Sequence, residues 1–306
     1  MEFTAVLQRL KIWMMPLAML SGGLFYPFFS KLAAVTPCLI FCMLLITYCR
    51  LAFRDMTFSR LHFWLLGVQV VGSFVVYVLF VPFDPLLAEG MMICVLAPTA
   101  VAATVITGML GGNVACLAAY TLVSNLCVAC ISPFVFSFIG THQDVPFGDS
   151  FSTICRQVIP LLILPLVGAW VLERFIPLVH RKLKRYQSVS FYLWTLGLTV
   201  VTGKTVSFIV EQSDVNLWEE IRIGLATFIL CCLQFILGRY FGKRYGEVIA
   251  GGQGLGQKNT ILAIWMAQVY LSPLSSIGPA AYVLWQNIIN SWQLWKKRKD
   301  EMKYRI

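Results

Sequence analysis

The chain has 306 residues, of which 58% are hydrophobic and 12% are charged, and its mean hydropathy is +0.77. This composition excludes an ordinary water-soluble domain, because a soluble core cannot absorb so much apolar surface. The net charge of +10 at pH 7 is distributed over the connections between apolar segments, and no soluble domain carries a basic cluster that would bind nucleic acid. The sequence therefore predicts an integral membrane protein that contacts lipid headgroups.

Apolar segments of about 20 residues recur along the chain and match the hydrocarbon thickness of a bilayer. The ten segments lie at approximately 12–30, 33–53, 62–81, 89–110, 114–139, 156–177, 188–210, 221–241, 246–270 and 275–295, and are called spans 1 to 10. Span 1 is interrupted by Pro16 and Pro27, and span 9 opens with glycine and glutamine, so both are expected to be irregular. The predicted fold is an all-α membrane protein with about ten transmembrane helices.

Charge alternates from one connection to the next. The basic residues cluster at Arg9 and Lys11, at Arg50, Arg54 and Arg60, at Arg174 and 181–185, at Arg239, Lys243 and Arg244, and at 296–299. The opposite connections carry Asp84, Glu89, Asp144, Asp149, Glu211, Asp214, Glu219 and Glu220. The positive-inside rule then predicts a multi-pass protein of the plasma membrane, which is the inner membrane in a bacterium, with cytoplasmic termini and a basic tail at 296–306.

Catalytic chemistry has no visible basis in the spans. They contain neither paired carboxylates nor a nucleophile beside a base, so we expect no enzyme and no organic cofactor. Most of the ten cysteines fall inside spans, where cysteine behaves as a small apolar residue. Cys127 and Cys130 form a C-x-x-C pair without a second pair or a histidine in a span, so no metal site is expected.

Two spans contain helix-breaking residues. Span 4 has Pro98 at its centre, and span 9 has Gly252, Gly254 and Gly256 before its polar residues. Each break frees backbone groups that cannot face lipid. Spans 4 and 9 lie five apart, so two five-span halves, 1–140 and 150–295, would be inverted repeats whose breaks meet near the midplane, as in secondary transporters that work by alternating access. The alternative is a simple proline kink and glycines that permit close packing.

These features resemble the bile acid:sodium symporter superfamily, whose members have ten spans in two inverted repeats with broken, crossing helices 4 and 9. Ala97–Ala100 matches the family's first break, and Gly111–Ala115 matches the turn into span 5. Gly254–Leu262 matches the family's span 9 motif, and Asn287 in "LWQNIINS" matches its span 10 asparagine. Gln69 occupies the place of a span 3 glutamine near a sodium site. The resemblance covers nearly the whole chain and implies a single transporter domain.

The ion-site residues of the family are altered in this chain. The resemblance puts the family's sodium-binding glutamate on Gly254, its glutamine on Lys258, and its serine-asparagine pair on Ala103 and Thr104. Each change removes an oxygen ligand, and a lysine ammonium offers only donors and a like charge. We therefore expect the two-sodium arrangement to be absent or severely weakened. The candidate residues of the ion site or its substitute are Lys258, Gln257, Gln69 and Thr121.

Lys258 suggests a replacement for the ion. Its ammonium would act as a tethered cation between the crossed helices, donating to freed carbonyls, to Gln257 or to Thr104. Two other interpretations stay open: a buried ammonium can release and regain a proton, which would give proton coupling or uniport, or Lys258 can extend into a wet vestibule and tune charge preference.

The substrate class implied by the resemblance is an organic anion: a bile acid, a steroid conjugate or a small carboxylate. Half-helix N-termini and Lys258 favour a carboxylate or sulfate group. The candidate substrate contacts are Thr99, Thr104, Asn259 and Asn287. The alternative functions are a conventional sodium-coupled symporter, a proton-coupled transporter, and a ligand sensor that kept the fold without transport.

Overall fold

The computed structural model describes residues 14, 16–49, 58–100, 102–140, 146–185, 187–211 and 217–303. Several charges used for the orientation, Arg9, Lys11, Arg50, Arg54, Asp144 and Asp214, lie outside these residues, as do the start of span 1 and the end of the tail.

Helices α1 to α7 cover the first half of the chain. They lie at 16–24 (α1), Tyr26–Phe29 (α2), Thr36–Tyr48 (α3), Arg60–Phe80 (α4), Pro85–Leu96 (α5), Ala102–Leu110 (α6) and Val114–Ile139 (α7), with a 3-10 helix at Ser30–Val35. Helices α8 to α14 follow. They lie at Phe147–Phe175 (α8), Pro177–Arg185 (α9), Gln187–Glu211 (α10), Leu217–Lys243 (α11), Val248–Gly256 (α12), Thr260–Tyr270 (α13) and Ile277–Lys303 (α14), with a 3-10 helix at Pro273–Ser276.

The helices confirm the all-α membrane class. Among the described residues, six stretches are long and apolar enough to cross a membrane: Tyr26–Tyr48, Arg60–Phe80, Val114–Ile139, Phe147–Phe175, Tyr192–Glu211 and Trp218–Lys243. Helices α5 and α13 are apolar as well, but each is too short to cross a bilayer alone. The count of ten spans stays a prediction.

The contacts divide the chain into two compact units. The first comprises Met1–Leu51 and Cys155–Val215, and in it α10 packs against α2, α3 and the first 3-10 helix. A Cβ at Gly22 would lie 2.4 Å from Thr199 O, so this glycine lets α1 approach the backbone of α10. The second unit comprises Ala52–Ile154 and Asn216–Ile306, and it contains both interrupted spans.

The first interruption follows from Pro98. Helix α5 ends at Leu96, and Ala97 is extended with φ −48° and ψ 138°, because the proline ring disfavours helical backbone in the residue before it. Pro98 also lacks an N–H to continue the helix. Helix α6 resumes at Ala102.

The second interruption lies beyond the glycines expected to cause it. Gly252, Gly254 and Gly256 are helical residues of α12, and the extended residues are Gln257–Asn259. The glycines serve close packing instead: a Cβ at Gly252 would lie 2.7 Å from Arg239 Cγ, and one at Gly256 would lie 2.4 Å from the Phe235 ring. Absence of a side chain therefore lets α12 lie directly on α11.

A glycine at the α11–α12 contact provides a stability test. In Gly251→Ala the new methyl group would lie 2.3 Å from Gly238 O, a backbone atom that cannot swing away. We expect the free energy of unfolding to fall by about 1–3 kcal/mol or more. Thermal unfolding of the purified protein measures this change. The matched control is Gly67→Ala on α4, which meets nothing within 4 Å and should be neutral or stabilising by up to about 1 kcal/mol. Equal losses in both variants would contradict the packing role.

Candidate functional site

The two interruptions cross each other in the second unit. Thr99 in the first break and Lys258 in the second form an isolated antiparallel bridge. The flanking backbone hydrogen bonds run from Asn259 N to Pro98 O (2.8 Å) and from Ala100 N to Gln257 O (3.0 Å). Each break thus supplies backbone partners for the groups that the other break has released, away from lipid.

The side chain of each bridged residue donates a hydrogen bond to the helix that precedes the other break. Thr99 Oγ1 donates to Gly254 O at 2.6 Å, and Lys258 Nζ donates to Val95 O at 2.8 Å. Gly254 lies four residues before Lys258, and Val95 lies four residues before Thr99. Each break therefore sends a donor to the last turn of the helix that leads into the other break, where carbonyls have lost their helical partners.

Neighbouring helices hold the two breaks in corresponding ways. From α7, Ser124 Oγ accepts a hydrogen bond from Thr99 N at 3.2 Å. From α14, Gln286 Oε1 accepts one from Lys258 N at 2.8 Å, and Gln286 Nε2 donates to Lys258 O at 3.4 Å. A tyrosine lies four residues before each holder: Tyr120 before Ser124, and Tyr282 before Gln286.

The carbonyls at the end of α5 are capped by glutamines. Gln69 Nε2 donates to Leu96 O at 2.8 Å and to Ala97 O at 3.1 Å. Gln234 Nε2 reaches Cys94 O at 3.4 Å. Together with Lys258, these side chains provide hydrogen-bond donors for the last carbonyl groups of α5, which a further helical turn would otherwise provide.

The oxygen of Gln69 is also engaged. Tyr120 O–H donates to Gln69 Oε1 at 2.8 Å, and the Ser124 hydroxyl lies 2.9 Å from the same atom. Gln69 is fully buried. Both ends of this amide therefore bind protein groups, and its carbonyl oxygen carries two hydrogen bonds, the usual number for an amide acceptor.

The position that the resemblance assigns to a glutamate has no room for one. A Cβ at Gly254 would lie 2.9 Å from Tyr120 Cδ1 and 3.3 Å from Leu65 Cδ1. The tyrosine ring fills the space beside Gly254, while its hydroxyl binds Gln69. A carboxylate at position 254 would require the ring to move.

Lys258 is buried within the unit. Its side chain is 1% exposed, and its ammonium lies at the C-terminal end of α5. Carbonyls at a helix C-terminus carry partial negative charge, which stabilises a cation. The acceptor is thus a freed carbonyl, as the tethered-cation hypothesis expects, but it belongs to Val95 instead of Gln257 or Thr104.

Three of the remaining candidate residues lie close to the breaks. Asn259 caps α13, where its Oδ1 accepts from Leu262 N at 3.4 Å. Thr104 lies near the start of α6 and is 6% exposed. Gln257 is buried, and its side-chain oxygen has no hydrogen-bond partner.

The other two candidates bond within their own helices. Thr121 Oγ1 donates to Leu117 O at 2.9 Å on α7, and Asn287 Nδ2 donates to Val283 O at 2.7 Å on α14. Thr121 is fully buried and Asn287 is partly buried. Neither side chain contacts the bridged pair through these bonds.

Sequence reasoning missed several residues of the crossing. The sequence does contain a signal for them, a tyrosine followed four residues later by a polar residue in spans 5 and 10. It also missed Thr260, in the first turn of α13, whose buried hydroxyl has no hydrogen-bond partner in the described part of the chain. The missed residues are Tyr120, Ser124, Gln234, Thr260, Tyr282 and Gln286.

The outer ends of the crossed pair are tied by carboxylates. At the start of α12, Glu247 Oε1 accepts from Asn113 Nδ2 at 2.8 Å, in the turn that joins α6 to α7. Near the start of α5, Glu89 Oε2 accepts from Ser272 N at 2.9 Å, after α13. The start of α12 is therefore bonded to the turn that follows α6, and the beginning of α5 is bonded to the turn that follows α13.

The comparison with known proteins assigns the family. The model of the Sodium Bile acid symporter family matches residues 36–212, more than half of the chain, including the first break. The chain belongs to this family. The description of the family names sodium:bile acid symporters, and the apolar helices agree with a multi-pass membrane protein. A relative in Bacillus subtilis (strain 168), named "Uncharacterized sodium-dependent transporter YocS", is 24% identical over 222 residues, which are 69% of this chain and 65% of the relative.

Replacement of Gln69 tests the capping of α5. Gln69→Met keeps the length of the side chain but removes the donor to two carbonyls and the acceptor for two hydroxyls. Because each buried group without a partner costs about 1–3 kcal/mol, we expect a loss of about 2–5 kcal/mol in thermal unfolding experiments. The control is Ser73→Ala one turn along α4, whose hydroxyl bonds only to Val70 O in its own helix. A loss no larger than that of the control would show that Gln69 does not hold the break.

Proposed function

We propose that the protein is a secondary transporter of an organic anion in which the ammonium of Lys258 takes the place of a bound sodium ion. The observation that carries this proposal is the hydrogen bond from Lys258 Nζ to Val95 O, which joins the second break to the end of α5. The membership of the family supports transport, and the buried cation at the crossing supports the altered ion dependence.

Two inverted five-span repeats are part of this proposal. The reciprocal contacts support them: the break in 1–140 sends the Thr99 hydroxyl to the end of α12, and the break in 150–295 sends the Lys258 ammonium to the end of α5. Thr99 pairs with Lys258, and the holders from α7 and α14 bind the backbone N–H of each. Inverted repeats with broken helices that meet at the centre are the architecture of alternating access.

The residues present do not fit a sodium ion at the positions implied by the resemblance. Sodium is a hard cation that needs several oxygen atoms directed at one point. The Gln69 oxygen already accepts two hydrogen bonds, the space beside Gly254 holds the Tyr120 ring, and position 258 carries a positive charge. These observations support weakened or absent sodium coupling.

A covalently attached cation has a distinct consequence for transport. A bound ion arrives and leaves with the gradient, whereas the ammonium of Lys258 is always beside α5. The crossing is then assembled whether or not sodium is present, so that uptake follows the substrate gradient and the membrane potential. Burial of Lys258 argues against the wet-vestibule interpretation. The response of uptake to an imposed proton gradient distinguishes a proton-coupled cycle from this proposal.

The substrate site in this proposal lies at the N-terminal ends of α6 and α13. Both helices begin beside the crossing, so the dipoles at their N-terminal ends favour an anionic group. Asn259 and the buried, unpartnered hydroxyl of Thr260 would bind a carboxylate or sulfate there, with Thr99 and Thr104 nearby. The proposed substrates are bile acids, steroid conjugates or small carboxylates, and the proposed orientation has both termini in the cytoplasm.

Uptake by proteoliposomes tests the proposed function. The probes are a bile acid, a steroid sulfate and a small hydroxy carboxylate, each with sodium or potassium outside. We expect saturable uptake of at least one probe, with initial rates in the two salts equal within about twofold. Lys258→Gln removes the charge that holds α5 and should lower the rate at least about tenfold, which is about 1.4 kcal/mol of coupling.

The matched control is Lys204→Gln on α10. This second intramembrane lysine lies 4.2 Å from the centre of the Phe208 ring and is only partly buried, so its loss should change uptake little. Uptake that requires sodium would contradict the proposal and support a conventional symporter. Uptake that follows an imposed proton gradient would support proton coupling, and binding without uptake would support a sensor.

A further inference from the structure

A row of polar residues continues along α14 beyond the crossing. Gln286, Asn290, Gln293 and Lys297 are spaced by four, three and four residues, which places them on one face of the helix. The first binds the backbone of Lys258, and the last donates through Nζ to Met109 O at the end of α6, at 2.9 Å. The row therefore runs from the crossing to the basic end of α14.

The middle of this row pairs with a glutamine on α12. Gln253 Nε2 lies 2.9 Å from Asn290 Oδ1 and 3.2 Å from Gln293 Oε1. Gln257 lies one turn further along α12, at its end. We call the five amides Gln253, Gln257, Gln286, Asn290 and Gln293 the polar seam.

Three atoms of the polar seam have no hydrogen-bond partner among the residues that the structure describes. They are Gln253 Oε1, Gln257 Oε1 and Asn290 Nδ2, on side chains that are 1%, 4% and 2% exposed. A buried amide atom without a hydrogen bond carries the full cost of its desolvation. A water molecule that accepts from Asn290 and donates to Gln253 would satisfy both, and buried water is stable where two to four polar partners surround it.

The corresponding positions on α7 do not carry amides. With Tyr120 matched to Tyr282 and Ser124 to Gln286, the counterparts of Asn290 and Gln293 on α7 are Val128 and Ile131. Val128 is fully buried. Apolar residues can therefore pack at the positions that correspond to Asn290 and Gln293. Helix packing alone does not explain why α14 has amides there.

We propose that the polar seam is a hydrated pathway, in which a chain of water molecules leads from the basic end of α14 to Gln286 at the second break. The counterpart positions Val128 and Ile131 on α7 offer water no amide, so in this proposal water reaches the crossing along α14 and not along that face of α7. The pathway gives water and protons access to the backbone of the second break. The inference rests on the amides themselves and does not depend on the role proposed for Lys258.

Thiol reactivity tests the pathway in the full-length protein in membranes. Asn290→Cys places a thiol of similar size in the polar seam, and Val128→Cys places one at the counterpart position. Hydrogen peroxide is close to water in size and oxidises the thiolate, which forms only where water can take the proton. Peptide mass spectrometry reports the oxidation of each cysteine, with the fully buried native Cys94 and Cys231 as internal references.

The cysteine at position 290 should be oxidised at least about tenfold faster than the cysteine at position 128 and the two native references. Equal, slow oxidation at both positions would show a dry seam of paired amides and overturn the proposal. Fast oxidation at both positions 290 and 128 would contradict the claim that water enters along α14 and not along α7. If Asn290→Cys does not fold, Gln293→Cys on the same face gives the same comparison.

Discussion

Backbone groups released inside a membrane have to find partners within the protein, and the antiparallel pairing of the two breaks meets this constraint. Among the described residues, two backbone hydrogen bonds flank the bridge between Thr99 and Lys258, and side chains bind other groups of the two breaks. Gln69 and Lys258 cap the end of α5, and Thr99 reaches back to the end of α12. The glycines of α12, the holders on α7 and α14, and the carboxylates at the far ends all position these few bonds.

The two breaks form matching hydrogen bonds, but only one of the two donor side chains, that of Lys258, is charged. A neutral hydroxyl binds the end of α12, whereas a cation binds the end of α5 through a bond of similar length. A related asymmetry lies beside the crossing, where the positions of the buried amides Asn290 and Gln293 on α14 correspond to Val128 and Ile131 on α7. The second break, with Lys258 and the polar seam, therefore carries chemical groups that the first break lacks, although the two breaks form similar hydrogen bonds.

The sequence predicted the membrane class and the first break, because apolar length and a central proline are local signals. It located the second break several residues early, because glycine serves close packing as readily as it interrupts a helix. Gly252 and Gly256 stay helical against α11, and Gly254 stays helical against Tyr120 of α7. The acceptor of Lys258 could not be predicted, since Val95 lies 163 residues away along the chain and is reached only through the crossing. The engagement of Gln69 by Tyr120 depends on tertiary contact in the same way.

The central claim, that Lys258 stands in for a sodium ion, is tested most directly by the thermal stability of the purified protein in sodium and in potassium at matched ionic strength. The proposal predicts the same unfolding midpoint in both salts, because the cation is part of the chain. A sodium ion bound only to the folded state would add about 2.7 kcal/mol at roughly 100 times its dissociation constant. A saturable gain of this kind in sodium alone would contradict the account and place an ion site elsewhere in the protein.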